Sequence, residues 1–249
     1  MNIKMTEKAY AKANLFLDIT GKRPDGYHLI KSVFKTLDFL YDTVTLELNG
    51  SGEITVECAV ASGKNNIAFR ACECFFKFTG IASGAHIHIE KKIPAQAGLG
   101  GGSSDAAAVL KMLNKAFGSP LSEQKLHSAA LSLGADVPFF LYGGTAIVEG
   151  IGEHIVPVAD LPEMNYTVEM GKKGISTAQA YAQIDRQCGL VHGDIDRFFK
   201  EFPYACFNIF EQAAELPEVF AIKKQMLAGG AAAAVMSGSG AAVVGIYLK

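Results

Sequence analysis

Residues 94–105 read PAQAGLGGGSSD, and they carry the strongest signal in the 249-residue chain. Glycine occupies four of the five positions from 98 to 102, so the backbone can approach a ligand closely and adopt angles forbidden to other residues. A strand is predicted before the loop and a helix after it. Successive N–H groups and the positive end of that helix can therefore be directed at phosphates. Ser103 and Ser104 add hydroxyls for phosphate oxygens or for a metal.

Three other interpretations of this loop are weaker. A P-loop requires GxxxxGK[ST], and no lysine follows these glycines. A dinucleotide fingerprint requires GxGxxG, and Ser103 stands where the third glycine belongs. A plain flexible turn does not need four glycines, whose ordering costs conformational entropy.

Strands and helices are predicted on both sides of the loop without strict βαβ alternation, which favours an α+β fold. Strands are expected at 11–19, 33–42, 43–50, 53–60, 85–90, 144–149, 166–170 and near 234 and 243. Helices are expected at 66–78, from a cap at Ser103 or Ser104 to about 117, and at 122–133, 177–185, 194–201, 210–216 and 219–228. Asp105 is expected in the first turn of the helix after the glycines.

A domain boundary is expected within residues 150–162, where Gly, Pro and charged residues cluster. The predicted domains are residues 1–152 and 153–249, although the last strand can return to the first domain.

Composition excludes several classes of protein. The formal net charge is −2 and no Lys/Arg run occurs, so a nucleic-acid partner is not expected. No stretch approaches the roughly 18 apolar residues of a transmembrane helix, and no signal peptide begins the sequence. The five cysteines lack zinc-type spacing and are interpreted as reduced cytosolic thiols. We therefore expect a soluble cytoplasmic protein with no membrane partner.

The glycine loop resembles the ATP-binding motif of the GHMP kinases, and further matching segments extend the resemblance along the whole chain. The resemblance implies two domains, an N-terminal ribosomal-S5-like ATP-binding domain and a C-terminal ferredoxin-like α/β sandwich, with the active site in the cleft between them. It also implies that ATP is bound by the loop residues Pro94, Ala95, Gln96, Ala97, Gly98, Leu99, Gly100, Gly101, Gly102, Ser103 and Ser104.

Residues 11–17 (AKANLFL) and 21–28 (GKRPDGYH) resemble the opening signature of one GHMP branch, whose substrate is a cytidine-diphosphate-linked methylerythritol. Strand alternation places Lys12 and Asn14 on one face, where they can hold a hydroxyl and screen a moving phosphoryl group. Without the resemblance, a solvated lysine beside an edge asparagine would be the preferred interpretation.

Tyr27 and His28 follow a Pro-Asp-Gly turn. An aromatic ring can stack on a pyrimidine, and an imidazole or its neighbouring amides can bond the edge of the base. The resemblance implies that these residues recognise cytosine; the alternative is a Tyr-His pair packed beneath the turn.

Asp136 lies in LGADVPFFL, residues 133–141. Taken alone, it is an N-cap after a helix-ending glycine, with Pro138 in the first turn of the next helix. The resemblance implies that it is the catalytic carboxylate, and the two roles are compatible.

Residues 174–181 (GISTAQAY) resemble a further family segment, which implies that Thr177 touches the substrate and that Tyr181 completes a cytosine sandwich with Tyr27. Ser176 and Ala178 replace the prolines of the commoner pattern, so the loop can differ in shape.

Residues 236–243 (MSGSGAAV) resemble the family's C-terminal glycine motif, which would form a tight turn between strands and close over the active site. Asn208 and Glu211, in FNIFE, match another family segment and are given a structural role.

His86, His88 and Glu90 alternate along one strand and share a face. Three such side chains on one face suggest ligands of a zinc ion. Residues two apart on a strand are separated by about 6–7 Å and no fourth ligand is evident, so a half-exposed polar face is preferred.

The resemblance implies that Mg²⁺-ATP phosphorylates the 2-hydroxyl of the cytidylated alcohol, in the non-mevalonate route to isoprenoid precursors. Asp136 then accepts or orients the proton of the hydroxyl, and Lys12 keeps Asp136 ionised and offsets charge on the transferred group. Ser104 and Asp105 are alternatives as magnesium ligands, and both monomer and homodimer are compatible with the sequence. The alternatives are a mevalonate- or homoserine-type kinase, a non-catalytic nucleotide-binding protein and, third, a dinucleotide oxidoreductase.

Overall fold

The computed structural model of the protein describes residues 3–172, 174–213 and 216–249. These residues form ten strands, two short 3-10 helices and seven α-helices. The strands are β1 (Lys4–Lys22), β2 (His28–Asn49), β3 (Ile54–Cys58), β4 (Gly84–Glu90), β5 (Thr145–Gly150), β6 (His154–Val158), β7 (Met164–Met170), β8 (Phe207–Asn208), β9 (Ala233–Met236) and β10 (Ala242–Leu248). The α-helices are α1 (Ile67–Thr79), α2 (Gly101–Ala116), α3 (Glu123–Leu133), α4 (Phe139–Tyr142), α5 (Thr177–Ile184), α6 (Ile195–Glu201) and α7 (Pro217–Ala228).

The first of two compact units contains helices α1 to α4 and residues 3–11, 37–95 and 100–143. In it, β4 pairs antiparallel with the second half of β2, from Thr43 opposite Glu90 to Asn49 opposite Gly84, and parallel with β3. Helix α1 packs against α2 and α3. Phe75 of α1 and Leu110 of α2 are fully buried, so this unit has its own apolar core.

The second unit consists of residues 12–36 and 96–99 and the described part of 144–249. Here β5 pairs antiparallel with the first half of β2 and with β6, and β8 pairs parallel with β1. A separate sheet has the order β7-β10-β9 and is antiparallel throughout. The fully buried Phe198 of α6 packs edge to face on Phe16 of β1, with ring centroids 5.9 Å apart.

The α+β prediction is confirmed, and several helix ends agree with the sequence. The Asn66 side chain caps α1 by accepting a hydrogen bond from Ala68 N at 2.9 Å. Ser122 caps α3 through Lys125 N, and Gly134 follows the last residue of that helix. These ends depend on side chains close in sequence, which is why the pattern predicts them.

The predicted start of α2 is wrong. Gly100, in the left-handed region at φ +71°, flanks the first residue of the helix, so Ser103 and Ser104 lie inside α2 and do not cap it. Asp105 is consequently the fifth residue of α2 and lies beyond the first turn. Glycine supplies this backbone conformation without a steric penalty, and the helix therefore begins earlier than a serine cap would allow.

The two strands predicted at 33–42 and 43–50 are parts of the single 22-residue strand β2, which ends at Asn49. Asp42, which suggested a break, is fully buried and accepts hydrogen bonds from Lys92 N at 2.6 Å, Ile93 N at 2.8 Å and the Lys91 ammonium. The polar residue is thus satisfied by the segment after β4 and does not end the strand.

Two further local predictions are wrong. The helix expected at 210–216 is a 3-10 helix, Ile209–Gln212, capped by Asn208, and residues 214 and 215 lie outside the described residues. Asp136 does not cap α4, because the residue that flanks the first residue of this helix is Pro138 and Asp136 lies in the preceding turn.

Each unit is assembled from three separate segments of the chain, so neither unit is a continuous stretch of sequence. The division into residues 1–152 and 153–249 stays a prediction. Strand β6 lies within the expected boundary stretch of 150–162 and pairs with β5. Of the helices in the described residues, none has the length and apolar character required to cross a membrane.

We predict that Asp42→Ala lowers the free energy of unfolding by about 2–4 kcal/mol, because it leaves two backbone N–H groups without their acceptor and leaves the largely buried Lys91 ammonium paired with Asp105 alone. Urea unfolding measures this change. Glu47→Ala, on the same strand, is the control: its 2.6 Å pair with Lys4 is exposed on both sides, and no measurable loss is expected. Equal losses in the two variants would contradict the role given to Asp42.

Candidate active site

The glycine loop passes very close to the turn between β9 and β10. Gly98 has φ +78°, and a Cβ added there would lie 2.0 Å from the Ser237 carbonyl oxygen. Leu99 O accepts a hydrogen bond from Lys12 N at 2.9 Å, and Ala97 O accepts one from Ala242 N at 3.3 Å. Glycine is therefore required at position 98 by both backbone angle and space.

The amides at the start of α2 are suited to an anion. No side chain caps this helix, and Gly101, Gly102 and Ser103 form its first turn. Their N–H groups lack the carbonyl partners that residues further along a helix have, and the helix dipole adds partial positive charge. Ser104, buried in the next turn, donates its N–H to Gly100 O at 2.9 Å. The sequence prediction of a phosphate cradle fits this geometry.

Lys12 and Asn14 lie on one face of β1, as strand alternation predicts. Both are buried at 3% exposure, and Lys12 Nζ donates to Asn14 Oδ1 at 2.5 Å. The Lys12 ammonium also lies over the Phe34 ring, 4.4 Å from its centroid. A buried ammonium needs such partners, so the interpretation as a solvated strand lysine is wrong.

Two buried serines that the sequence interpretation did not select hold Asn14. Ser237 Oγ donates to Gly98 O at 2.9 Å and accepts from Asn14 N at 3.1 Å. Ser32 Oγ accepts from Asn14 Nδ2 at 3.0 Å. Ser237 belongs to the C-terminal glycine motif, which forms the expected turn between strands, so that motif was the available signal. Ser32 is a small polar residue within an apolar strand segment, which is a weak signal.

His28 and Tyr181 form a stacked pair, with ring centroids 4.4 Å apart and planes 13° from parallel. The His28 Nε2 atom lies 2.8 Å from Asp185 Oδ1, and Lys22 Nζ donates to Asp185 Oδ2 at 2.6 Å. These bonds, that from Lys22 first, lower the pKa of Asp185. The sequence interpretation missed Asp185, which directly follows α5 and is distant in sequence from both partners.

Tyr27 is 60% exposed, and its N–H donates to Asp25 Oδ1 at 3.3 Å. The ring is therefore not packed beneath the turn, which was the alternative interpretation. The cytosine sandwich with Tyr181 stays a prediction.

Thr177 is the first residue of α5, and its Oγ1 lies 3.4 Å from Ser239 Oγ of the β9–β10 turn. Ser176 and Gln179 form a reciprocal capping box at this helix end. Serine in place of a flanking proline thus supplies the cap of α5.

Asp136 lies in the turn between α3 and α4 and is partly buried. Its catalytic role stays a prediction, as do the roles given to the loop residues and to Thr177.

A buried charge cluster lies beside the start of α2. Lys91 Nζ donates to Asp105 Oδ2 at 2.7 Å and also pairs with Asp42. Burial raises the pKa of Asp105 to about 7, against the lowering effect of Lys91. Burial lowers the pKa of Lys91, but its partners, Asp105 first, raise it above its usual range. Asp105 Oδ1 is buried without a hydrogen-bond partner among the described residues.

The His86, His88 and Glu90 face is occupied by cross-strand contacts. His86 Nδ1 lies 2.8 Å from Thr55 Oγ1, and His88 Nδ1 lies 3.3 Å from Glu57 Oε2. Across the part of the chain that the structure describes, no three His, Cys, Asp or Glu side chains are grouped to hold a metal.

The chain matches two family models, described as "GHMP kinases N terminal domain" over residues 66–144 and "GHMP kinases C terminal" over residues 189–249. It is 42% identical to the 4-diphosphocytidyl-2-C-methyl-D-erythritol kinase of Desulfitobacterium hafniense, over 96% of this chain and 85% of that protein. The protein of the same name from Geobacter metallireducens is 40% identical, over 98% of this chain and 89% of its own length.

The chain is also similar to solved structures of kinases. A crystal structure of a 4-(cytidine 5'-diphospho)-2C-methyl-D-erythritol kinase has a TM-score of 0.86 and 32% identity, over 97% of this chain and 90% of that one. A homoserine kinase from Cytophaga hutchinsonii has a TM-score of 0.74 at 18% identity, covering 99% of this chain and 85% of that one, and shows the fold alone. The predicted GHMP kinase fold is confirmed.

We predict that Asp105→Asn removes part of the pH dependence of stability. In the unfolded chain this carboxyl ionises near 3.8, whereas in the folded protein it keeps its proton to about 7. Between these values the folded state binds the extra proton, so the free energy of unfolding falls as pH rises, by up to about 1.4 kcal/mol per pH unit.

Urea unfolding of the ligand-free protein at intervals from about pH 4 to pH 8 measures this slope, which is flatter in the variant. Asp160→Asn is the control. Hydrogen bonds from Lys35 and Thr145 lower the pKa of Asp160, so its contribution to the pH dependence of stability lies below about pH 4 and the slope from pH 4 to pH 8 is unchanged. Parallel profiles for wild type and Asp105→Asn would disprove the assignment.

Proposed function

The chain belongs to the 4-diphosphocytidyl-2-C-methyl-D-erythritol kinase branch of the GHMP kinases, and we propose that it phosphorylates the 2-hydroxyl of that cytidylated alcohol with ATP. The observation that carries this proposal is the similarity to the Desulfitobacterium hafniense kinase, which extends over 96% of the chain. The enzyme is a phosphotransferase with an alcohol acceptor. Its reaction belongs to the non-mevalonate route to isoprenoid precursors.

ATP is the phosphoryl donor of GHMP kinases, and in this protein we assign it to the loop of residues 94–104. The uncapped start of α2 and the left-handed glycines at 98 and 100 support this assignment. Phosphoryl transfer requires little covalent chemistry from the protein, so positioning and charge stabilisation supply most of the catalysis.

The proposed general base is Asp136, which accepts or orients the proton of the attacking hydroxyl. Lys12 offsets negative charge on the transferred group. Its buried ammonium supports this role, because a charge in a low-dielectric environment acts more strongly than one in water. Asn14 and Thr177 position the alcohol.

Tyr27, His28 and Tyr181 are assigned to the cytidine moiety. Tyr27 is exposed, which suits stacking on a base, and the His28 ring is stacked on the Tyr181 ring. Binding energy from this remote moiety can orient the reacting hydroxyl without taking part in the reaction.

Magnesium is the expected metal, and when bound it would offset the negative charge of the phosphate groups. Ser104 and Asp105 are the candidate protein ligands. The residues fit the ion, since Asp105 has a buried oxygen without a hydrogen-bond partner among the described residues, and Mg²⁺ prefers such oxygen ligands.

The proposed location is the cytoplasm, where ATP is available, and the proposed assembly is a monomer or a homodimer.

We predict that Mg²⁺-ATP gives ADP with 4-diphosphocytidyl-2-C-methyl-D-erythritol, but not with methylerythritol, mevalonate or homoserine. Coupled ADP release measures the four reactions side by side. The cytidylated alcohol alone provides the moiety assigned to Tyr27 and His28.

Release with another alcohol would keep the kinase and discard the cytidine-binding assignment. Folded protein that binds ATP and releases no ADP with any alcohol would instead be a non-catalytic nucleotide-binding protein.

A second prediction concerns Asp136→Asn, which we expect to lower kcat by at least about 100-fold and leave ATP and cytidine binding nearly intact. Steady-state kinetics and equilibrium binding measure the two effects. Glu123→Gln removes an exposed carboxylate from α3 and serves as the control, with unchanged kcat. A variant that keeps more than about a tenth of wild-type kcat would rule out the general-base role.

A further inference from the structure

The direction of every hydrogen bond around Ser32 follows from the chemistry of its partners. Ser32 Oγ lies 2.5 Å from the Phe16 carbonyl oxygen, which can only accept. A hydroxyl has a single proton, so that proton is committed to Phe16. Toward Asn14, 3.0 Å away, Ser32 can therefore act only as an acceptor.

This constraint and the Lys12 ammonium, which can only donate, together fix the orientation of the Asn14 amide. Its NH₂ group must face Ser32, and its Oδ1 atom consequently faces Lys12 Nζ, at 2.5 Å. In the flipped orientation the amide nitrogen would face the Lys12 ammonium, placing two donors against each other, while two acceptors would meet at Ser32. Burial prevents water from correcting either mismatch, since Ser32 is fully buried and Asn14 and Lys12 are 3% exposed.

We propose that Ser32 is a positioning residue of the phosphoryl-transfer reaction, because it anchors the NH₂ end of the Asn14 amide, whose Oδ1 atom holds the Lys12 ammonium in place. This inference rests on the proposed function, in which Lys12 and Asn14 serve the reaction. Ser32 acts through Asn14, and no direct contact between Ser32 and the reacting groups is proposed.

The backbone of Asn14 is held separately. Ser237 accepts the Asn14 N–H at 3.1 Å and uses its own proton on Gly98 O at 2.9 Å. Loss of the Ser32 hydroxyl removes the donor to Phe16 O and the acceptor of the Asn14 side-chain amide, while the Asn14 backbone keeps its bond to Ser237. The expected defect lies in the placement of the Lys12 charge and not in substrate binding.

The test is a double-mutant cycle in the full-length protein with ATP and 4-diphosphocytidyl-2-C-methyl-D-erythritol. Ser32→Ala is expected to lower kcat about 10- to 100-fold, with both KM values within about threefold of wild type. In an Asn14→Ala background the same change is expected to lower kcat less than about twofold further, because the amide on which Ser32 acts is gone. Ser32→Thr keeps the hydroxyl and is expected to retain most of the activity.

Thr145→Val is the matched control, because it removes another buried hydroxyl of the same unit, on β5, and is expected to leave kcat unchanged. If Ser32→Ala does not fold, Ser32→Cys replaces it, since the thiol keeps the size of the side chain and is a poor hydrogen-bonding group. It is expected to show the same loss of kcat.

A kcat within twofold of wild type in folded Ser32→Ala or Ser32→Cys would overturn the positioning role alone. Losses that simply multiply in the double variant would also overturn it, since Ser32 would then act independently of Asn14. Wild-type protein without activity on the cytidylated alcohol would overturn the proposed function, and the inference with it.

Discussion

The close approach of Gly98 to Ser237 joins the segments that carry the proposed chemistry. With 2.0 Å between the Ser237 carbonyl oxygen and any Cβ at position 98, only glycine fits. The Ser237 hydroxyl then reaches Gly98 O on one side and Asn14 N on the other. Three motifs that lie about 80 to 220 residues apart in sequence are thereby fixed to one another through one serine. A side chain at position 98 would displace the glycine loop and the β9–β10 turn together.

The same arrangement makes it possible to bury Lys12. An isolated ammonium in an apolar interior is strongly unfavourable unless donors and acceptors are matched. Asn14 supplies an oxygen at 2.5 Å and Phe34 supplies the face of a ring. The structure therefore keeps a positive charge in a low-dielectric environment, and the proposed role of Lys12 in stabilising the transition state depends on this placement.

The sequence predicts the parts of this arrangement whose causes are local. Asn66 and Ser122 cap helices that begin next to them, and Lys12 and Asn14 share a face because strands alternate. The errors have non-local causes. Asp42 suggested a break in β2, yet its partners are Lys91, Lys92 and Ile93, about 50 residues away. Ser32 and Asp185 were missed for the same reason, since a lone polar residue does not reveal partners that are distant in sequence, whereas Ser237 lies in a recognised motif that does not show which of its residues bonds Asn14.

The distribution of burial separates the proposed reaction from the proposed substrate choice. Lys12, Asn14, Ser32 and Ser237 are buried and tightly bonded, and a substitution among them disturbs several hydrogen bonds at once. The cluster of His28, Tyr181, Asp185 and Lys22 is more open, because the side chains of Lys22 and Asp185 are exposed, and it is formed by the end of β1, the start of β2, and α5 with the residue after it. Such residues can change without displacing the core. Homoserine and mevalonate kinases share the fold at 18% and 15% identity, with TM-scores of 0.74 and 0.71. A change in the moiety recognised beside the reacting alcohol would therefore cost less stability in the open cluster than a change in the buried network, which contains Asn14.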